Sequence, residues 1–227
     1  MKIQGGIPNG MARLLSVNVG LPREVEWDRR TIRTSIFKAP VPGRVHLTKL
    51  NLDGDEQSDL TVHGGVDKAV YVYPSEHYEF WRNELPDADL SWGAFGENFT
   101  TQGALDDKAV HIGDRFRIGS AEFVVTQPRI PCFKLAIRFG RADMVKRFMH
   151  SGRNGFYLAV AKEGEVAAGD SIELLMRDEN GVTVADIVEL YTADATKQDL
   201  LQRVSELAAL PENWRAYFRK RLWKPDS

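Results

Sequence analysis

Between Gly96 and Gln127 the chain advances as one strand-like run after another, divided by the glycine turns Gly113-Asp114 and Gly119-Ser120. A parallel doubly wound sheet would need a helix after nearly every strand, and these helices are absent. Many short strands at even spacing argue instead for a barrel or a sandwich.

The flanking segments fit that frame. Residues 12–19 read as a strand. Glu24 to Lys38 reads as a hairpin, with Val25 and Trp27 on one arm, Ile32, Thr34 and Ile36 on the other, and Asp28-Arg29-Arg30 turning between them. Arg44–Leu52 reads as a strand followed by the polar turn Asp53-Gly54-Asp55. Ala69–Tyr73 is a short apolar strand, and Pro74 suits the first turn of a helix running from Ser75 to Leu85. Phe133 to His150 has helical spacing, interrupted at Gly140 and closed near Gly152. Gly155–Lys162 and Asp170–Arg177 read as a last hairpin around Glu163-Gly164. Asp178-Glu179-Asn180-Gly181 is a strong turn signal and marks a domain boundary. Three short helices are expected beyond it, near 184–192, 196–209 and 211–222, with Asp194 capping the second and Pro211 opening the third.

Composition narrows the partners. The chain has 227 residues, 43% hydrophobic and 27% charged, with a formal net charge of −2, which does not favour nucleic acid as a general partner. No apolar run approaches the length of a membrane span. The start, Met1-Lys2-Ile3-Gln4-Gly5-Gly6, has no apolar signal segment, and one cysteine cannot form an internal disulfide. A cytoplasmic location is the expectation.

Four segments can carry chemistry. In Gln127-Pro128-Arg129-Ile130-Pro131-Cys132-Phe133-Lys134-Leu135, two prolines restrict the backbone where a strand gives way to a helix. A helix start and two nearby cations favour the thiolate of Cys132, which could attack an electrophile or bind a soft metal. Read structurally, a lone cysteine is a small buried hydrophobe. In His63-Gly64-Gly65-Val66-Asp67-Lys68, the glycines permit close approach of an anion to the backbone, and His63 or Asp67 could donate a proton. The bland reading is a glycine turn. Glu97-Asn98, between Gly96 and Phe99, offers an acid and an amide for a polar heterocycle, or an ordinary turn. Arg153, within Ser151-Gly152-Arg153-Asn154-Gly155, could clamp a phosphate, or lie solvated beyond a helix end. The common nucleotide-binding, zinc-protease and serine-hydrolase motifs are missing.

These segments, with Ile112-Gly113-Asp114 and Phe156-Tyr157, resemble in order and over nearly the whole chain the MOSC domain, named for the C-terminal part of molybdenum-cofactor sulfurases, and most closely its YiiM type. The resemblance implies a mostly β fold with α, a MOSC-type β-barrel over residues 1–179, and a small three-helix domain over 180–227. It also implies a molybdenum–pterin cofactor with Cys132 as the metal ligand, and reduction of N-hydroxylated compounds such as 6-hydroxylaminopurine. Arg129, Lys134 and Arg153 are then candidates for the cofactor's phosphate, with Lys68, Gly64 and Glu97 beside it. Asn98 and Gln127 could read the pterin edge, and His63 or Asp67 could supply the proton. One cysteine cannot hold an iron–sulfur cluster, so electrons must come from a separate donor protein. The helical tail's Arg219-Lys220-Arg221 could face such a partner or simply solvent.

Three alternatives stay open. One is a metal-free thiol enzyme or sulfur carrier, with Cys132 as nucleophile and His63 as base. Another is a non-enzymatic carrier of molybdopterin. A third reads the tail as a DNA-binding helix-turn-helix, against which its charge counts. Pyridoxal phosphate is also raised for the family, with Lys68 the nearest lysine, but nothing in the chain requires it.

Overall fold

A computed structural model describes residues 12–58, 64–103, 105–192 and 197–222. The expected succession of short strands is present: β1 (Arg13–Val19), β2 (Arg23–Trp27), β3 (Arg30–Thr34), β4 (Ala39–Pro40), β5 (Val45–Leu47) and β6 (Val70–Pro74). After α1 (Glu76–Glu84) come β7 (Phe99–Gln102), β8 (Arg115–Ile118) and β9 (Ala121–Pro128). Two short helices follow, α2 (Phe133–Phe139) and α3 (Met144–Ser151), then β10 (Phe156–Lys162), β11 (Gly164–Val166) and β12 (Ile172–Met176). The chain closes with α4 (Val184–Thr192), α5 (Gln198–Glu206) and α6 (Glu212–Leu222).

Eight strands form one sheet in the order β12-β8-β9-β10-β6-β7-β1-β4. The pair β6–β7 is parallel, and α1 is its crossover; the neighbouring pairs are antiparallel. Among the described residues, no continuous ladder closes the sheet. It curls until the start of β1 meets the entry to β12, through an Arg13–Ser171 bridge and the bonds Leu14 N to Asp170 O and Ile172 N to Ala12 O. The fold is mostly β with α, curled like a barrel and followed by three helices.

Alternation explains the strands, with β8 burying Phe116 and Ile118 between exposed Arg115 and Arg117. The core formed this way runs without a break from Leu14, Phe99 and Phe123 of the sheet to Val182, Leu201 and Phe218 of the helical tail. A second cluster packs Tyr73, Tyr78, Trp81, Phe95 and Phe148 beneath α1 and α3, with the Trp81 and Phe148 rings stacked at 5.7 Å.

Several sequence expectations are corrected. The hairpin turn is two residues, not three. Asp28 and Arg29 both take positive φ (49° and 60°) and Arg30 already pairs with Trp27, the geometry that matches strand twist. Ile36 lies beyond β3. The run Arg44–Leu52 is a strand only over Val45–Leu47, where burial alternates; Thr48 then turns back on Asn51, and Leu52 makes an isolated antiparallel bridge to Leu47. Pro74 is the last residue of β6 rather than a helix opener, placed where the strand no longer needs its donor. Residues 155–162 and 170–177 are not partners: β10 lies between β9 and β6, and β12 pairs with β8. Glu163-Gly164 leads instead into β11, which pairs with β5. Gly164 is small for a different reason, because a Cβ there would come within 2.7 Å of the Ser120 backbone. Asp194 lies outside the described residues.

Candidate active site

Strand β9 delivers the chain to Cys132. At its end the backbone of Arg129 is pinned on both sides, donating to Gly155 O at 3.1 Å and accepting from Asn154 Nδ2 at 3.0 Å. Gly155 makes this possible, since its φ is +64° and a Cβ would meet Val72 O at 2.3 Å. Pro131 is buried. Cys132 follows in extended conformation (φ −117°, ψ 173°) at the head of α2, half-buried, its carbonyl accepting from Leu135 N at 2.9 Å.

Cys132 opens onto a cavity whose walls hold the cations Lys38, Lys68, Arg129 and Lys134, with Asp55 as the carboxylate among the described lining residues. Arg129 is buried, with its guanidinium 4.9 Å from the Phe148 ring centre and 5.3 Å from that of Tyr71. Burial works against its charge, but Tyr71, Tyr157 and Cys132 outweigh that and raise its pKa. Its Nη1 is buried with no hydrogen-bond partner. Lys134 Nζ donates to Ser58 Oγ at 3.1 Å. Lys38 is paired with Asp55, which also accepts from Gly20 N at 2.8 Å and Asn98 Nδ2 at 2.9 Å. Desolvation lowers the pKa of Lys38 against the pull of Asp55, and lowers that of Lys68 against Asp67. An excess of partly dehydrated cations around an unpaired guanidinium nitrogen is a receptor for an anion.

A second cavity meets the first at Lys68, Ile130, Cys132 and Tyr157. Its far wall comes from the helical tail, with Tyr191 of α4 and Trp214 and Tyr217 of α6.

The residues singled out from the sequence divide between these surroundings. Cys132, Arg129, Lys134 and Lys68 come together on the first cavity. Asn98 also lines it, but its amide is occupied, accepting from Tyr71 N and donating to Asp55. Gln127 is tied at both ends, accepting from Trp214 Nε1 at 2.7 Å and donating to Asp67 O at 3.3 Å. It braces the helical tail against the site and does not present a free edge to a pterin. Glu97 is removed from the cavity altogether. It is fully buried and accepts from Gly93 N, Phe95 N, Thr100 Oγ1 and Tyr78 OH. Arg153 stacks 4.0 Å from the Phe80 ring centre and donates to Ser151 O, outside the lining of either cavity. Asp67 sits in a single 3₁₀ turn, Val66–Lys68, docked through its carbonyl to Thr126 Oγ1 at 2.7 Å; its carboxylate is not among the lining groups. Gly64 precedes this turn, and His63 lies outside the described residues.

Sequence reasoning missed Lys38 and Asp55 on the first cavity and Tyr191 and Tyr217 on the second. No local signal marks them, because they arrive from segments far apart in the chain.

The class is set by a curled, mostly β domain that holds one cysteine beside a cation-lined cavity, with three helices walling the other side. The chain belongs to the MOSC family, whose domain model matches residues 59–173, and a YiiM-like 3-alpha helix domain matches residues 182–224. It is 45% identical to the uncharacterized protein YflK of Bacillus subtilis (strain 168), over 92% of this chain and 93% of that protein. It is 35% identical over 78% of its length to a protein of Gibberella moniliformis (strain M3125 / FGSC 7600) named a reductase, of which the match covers 32%. The crystal structure of YiiM from Geobacillus stearothermophilus superposes with a TM-score of 0.78 at 33% identity, covering 93% of this chain and 99% of that one.

The MOSC family is associated with the molybdenum cofactor, and this cavity suits it. The unpartnered Arg129 nitrogen and the lysines answer a phosphate, and the Cys132 thiol answers a soft metal. Among the described residues, no three His, Cys, Asp or Glu side chains converge as a metal cluster. Of the described lining groups, Cys132 is a soft ligand that could hold a metal there. No helix among the described residues is long and apolar enough to cross a membrane.

Proposed function

We propose that the protein is a molybdenum-cofactor-dependent reductase of N-hydroxylated compounds. The observation that carries this reading is Cys132 at the junction of a cationic cavity and an aromatic one. The balanced reaction takes R–NH–OH, two electrons and two protons to R–NH₂ and water, breaking the N–O bond. When bound, the cofactor supplies the two-electron chemistry. Electrons would reach it from a separate donor protein, since one cysteine cannot hold an iron–sulfur cluster.

The chain's own residues have distinct tasks. Cys132 ligates the metal. Arg129, pinned through its backbone, and Lys134 hold the phosphate, with Lys38 deeper in the same wall. Lys68 stands between the two cavities, and its desolvated ammonium gives up a proton more readily than an exposed lysine. It is better placed than Asp67 to hand a proton toward the departing hydroxyl. The likeness to a protein named a reductase supports the reaction class.

The test is elemental analysis of protein made in a cofactor-competent host, wild type beside Cys132→Ser, with reduction of 6-hydroxylaminopurine followed in parallel. Near-stoichiometric molybdenum in wild type, absent from the variant together with turnover, is the expected result. Wild type without molybdenum would overturn the proposal and leave Cys132 as a metal-free nucleophile.

A further inference from the structure

The second cavity has a composition unlike the first. On one side stand Pro128 at the end of β9 and Ile130 and Pro131 of the loop before Cys132, and on the other Tyr191 and Tyr217 from the helical tail. The two tyrosines are about two-fifths exposed, at 40% and 39%, although both belong to a packed aromatic group. The Tyr191 ring centre lies 5.3 Å from Trp214 and 5.7 Å from Tyr217. Trp214 is in turn buried and hydrogen-bonded to Gln127, five residues before Cys132. The wall is therefore tied to the segment that carries the cysteine, while its outer rings stay partly exposed.

Charge sharpens the reading. Lys68 is the one charged side chain among the described residues lining this cavity, and no carboxylate does so. Asp67, outside the lining, acts on Lys68 through its charge. A planar ring finds tyrosine faces, proline surfaces and the amide of Asn213, which offers both a donor and an acceptor to a heterocycle's edge.

We propose that Tyr191, Tyr217 and Asn213 form the specificity-determining wall of the Cys132 site, selecting a planar heteroaromatic ring and turning its N-hydroxyl group toward Cys132. This rests on the reductase reading of the same site. The wall belongs to the helical tail, so the tail chooses the substrate while the sheet holds the anionic group.

The experiment uses cofactor-loaded wild type, Tyr217→Ala, Tyr217→Phe and Tyr191→Ala, each checked for an unchanged melting transition. Adenine, a heteroaromatic amine with no N–O bond to break, is titrated calorimetrically. Separately, kcat/KM is measured for 6-hydroxylaminopurine and for ring-less hydroxylamine. Losing one stacking face should weaken adenine binding about tenfold in either alanine variant, with Tyr217→Phe close to wild type. The preference for the ring substrate over hydroxylamine should fall by a similar factor. Wild type that does not bind adenine, or alanine variants that bind it unchanged, would overturn the wall. Adenine binding that weakens as expected in a protein that reduces neither compound would keep the wall and remove the reductase reading.

Discussion

Glu97 shows how one residue type at one place can carry two opposite meanings. Set beside Asn98 in a glycine-flanked turn, it has the makings of a group that reads a heterocycle. Folded, it is fully buried, and burial pushes its carboxyl above the usual range even as four donors surround it. Its work is to tie the turn at Gly93 and Phe95 to Tyr78 and Thr100. Glu97→Gln would turn an amide N–H₂ toward groups that themselves donate, at a cost of about 1–3 kcal/mol. A lowered urea midpoint checks this; a variant as stable as wild type would return Glu97 to the list of ligand-facing residues. Arg129 is the contrasting case. Its motif pointed to an anion, and the fold leaves its Nη1 buried without a partner beside the cavity.

At the scale of elements, α3 packs through Met144 and Phe148 and carries exposed ion pairs at its start. Asp143 precedes α3 and accepts from Arg141 Nε at 3.1 Å and from Arg147 Nε at 2.6 Å. Those two bonds hold its exposed carboxyl down from 3.8 to about 2. The folded state therefore prefers the carboxylate more strongly than the unfolded chain does. The contribution is intact above about pH 3.8 and disappears as pH falls through about 2. Asp143→Asn should melt slightly below wild type at neutral pH, and the two curves should converge toward pH 2. A gap that persists unchanged in acid would show that the ion pairs are not its source. Gly140, with φ 63°, ends α2 in the left-handed conformation, as the break in helical spacing there implied.

Across the whole molecule, the sheet and the helical tail share their apolar interior. Phe99 and Phe123 belong to the same buried cluster as Val182, Leu201 and Phe218. Val182 and Val184 bond through their backbones to Ile112 and Val110, and Trp214 is bonded to Gln127. The turn at Asp178-Glu179-Asn180-Gly181 divides the chain in sequence while the core crosses it. The expected outcome is a single cooperative unfolding transition, with equal calorimetric and van't Hoff enthalpies. Two resolved transitions would show that the tail is an independent unit.

Much of the architecture was legible in the residues alone, because alternation, helical spacing and glycine or proline punctuation are local properties. They marked β1, β9, the hairpin of β2 and β3, and the three closing helices, and they set Cys132, Arg129 and Lys134 within six positions of one another. Pairing is not local. Whether β10 meets β12 or β9 depends on which partners bury the same core, so the hairpin read at Glu163-Gly164 belonged to tertiary structure to refuse. The same holds for the site's other half. Lys38, Asp55, Tyr191 and Tyr217 carry no neighbouring signal, and only the curl of the sheet and the docking of its helical tail bring them to one cysteine.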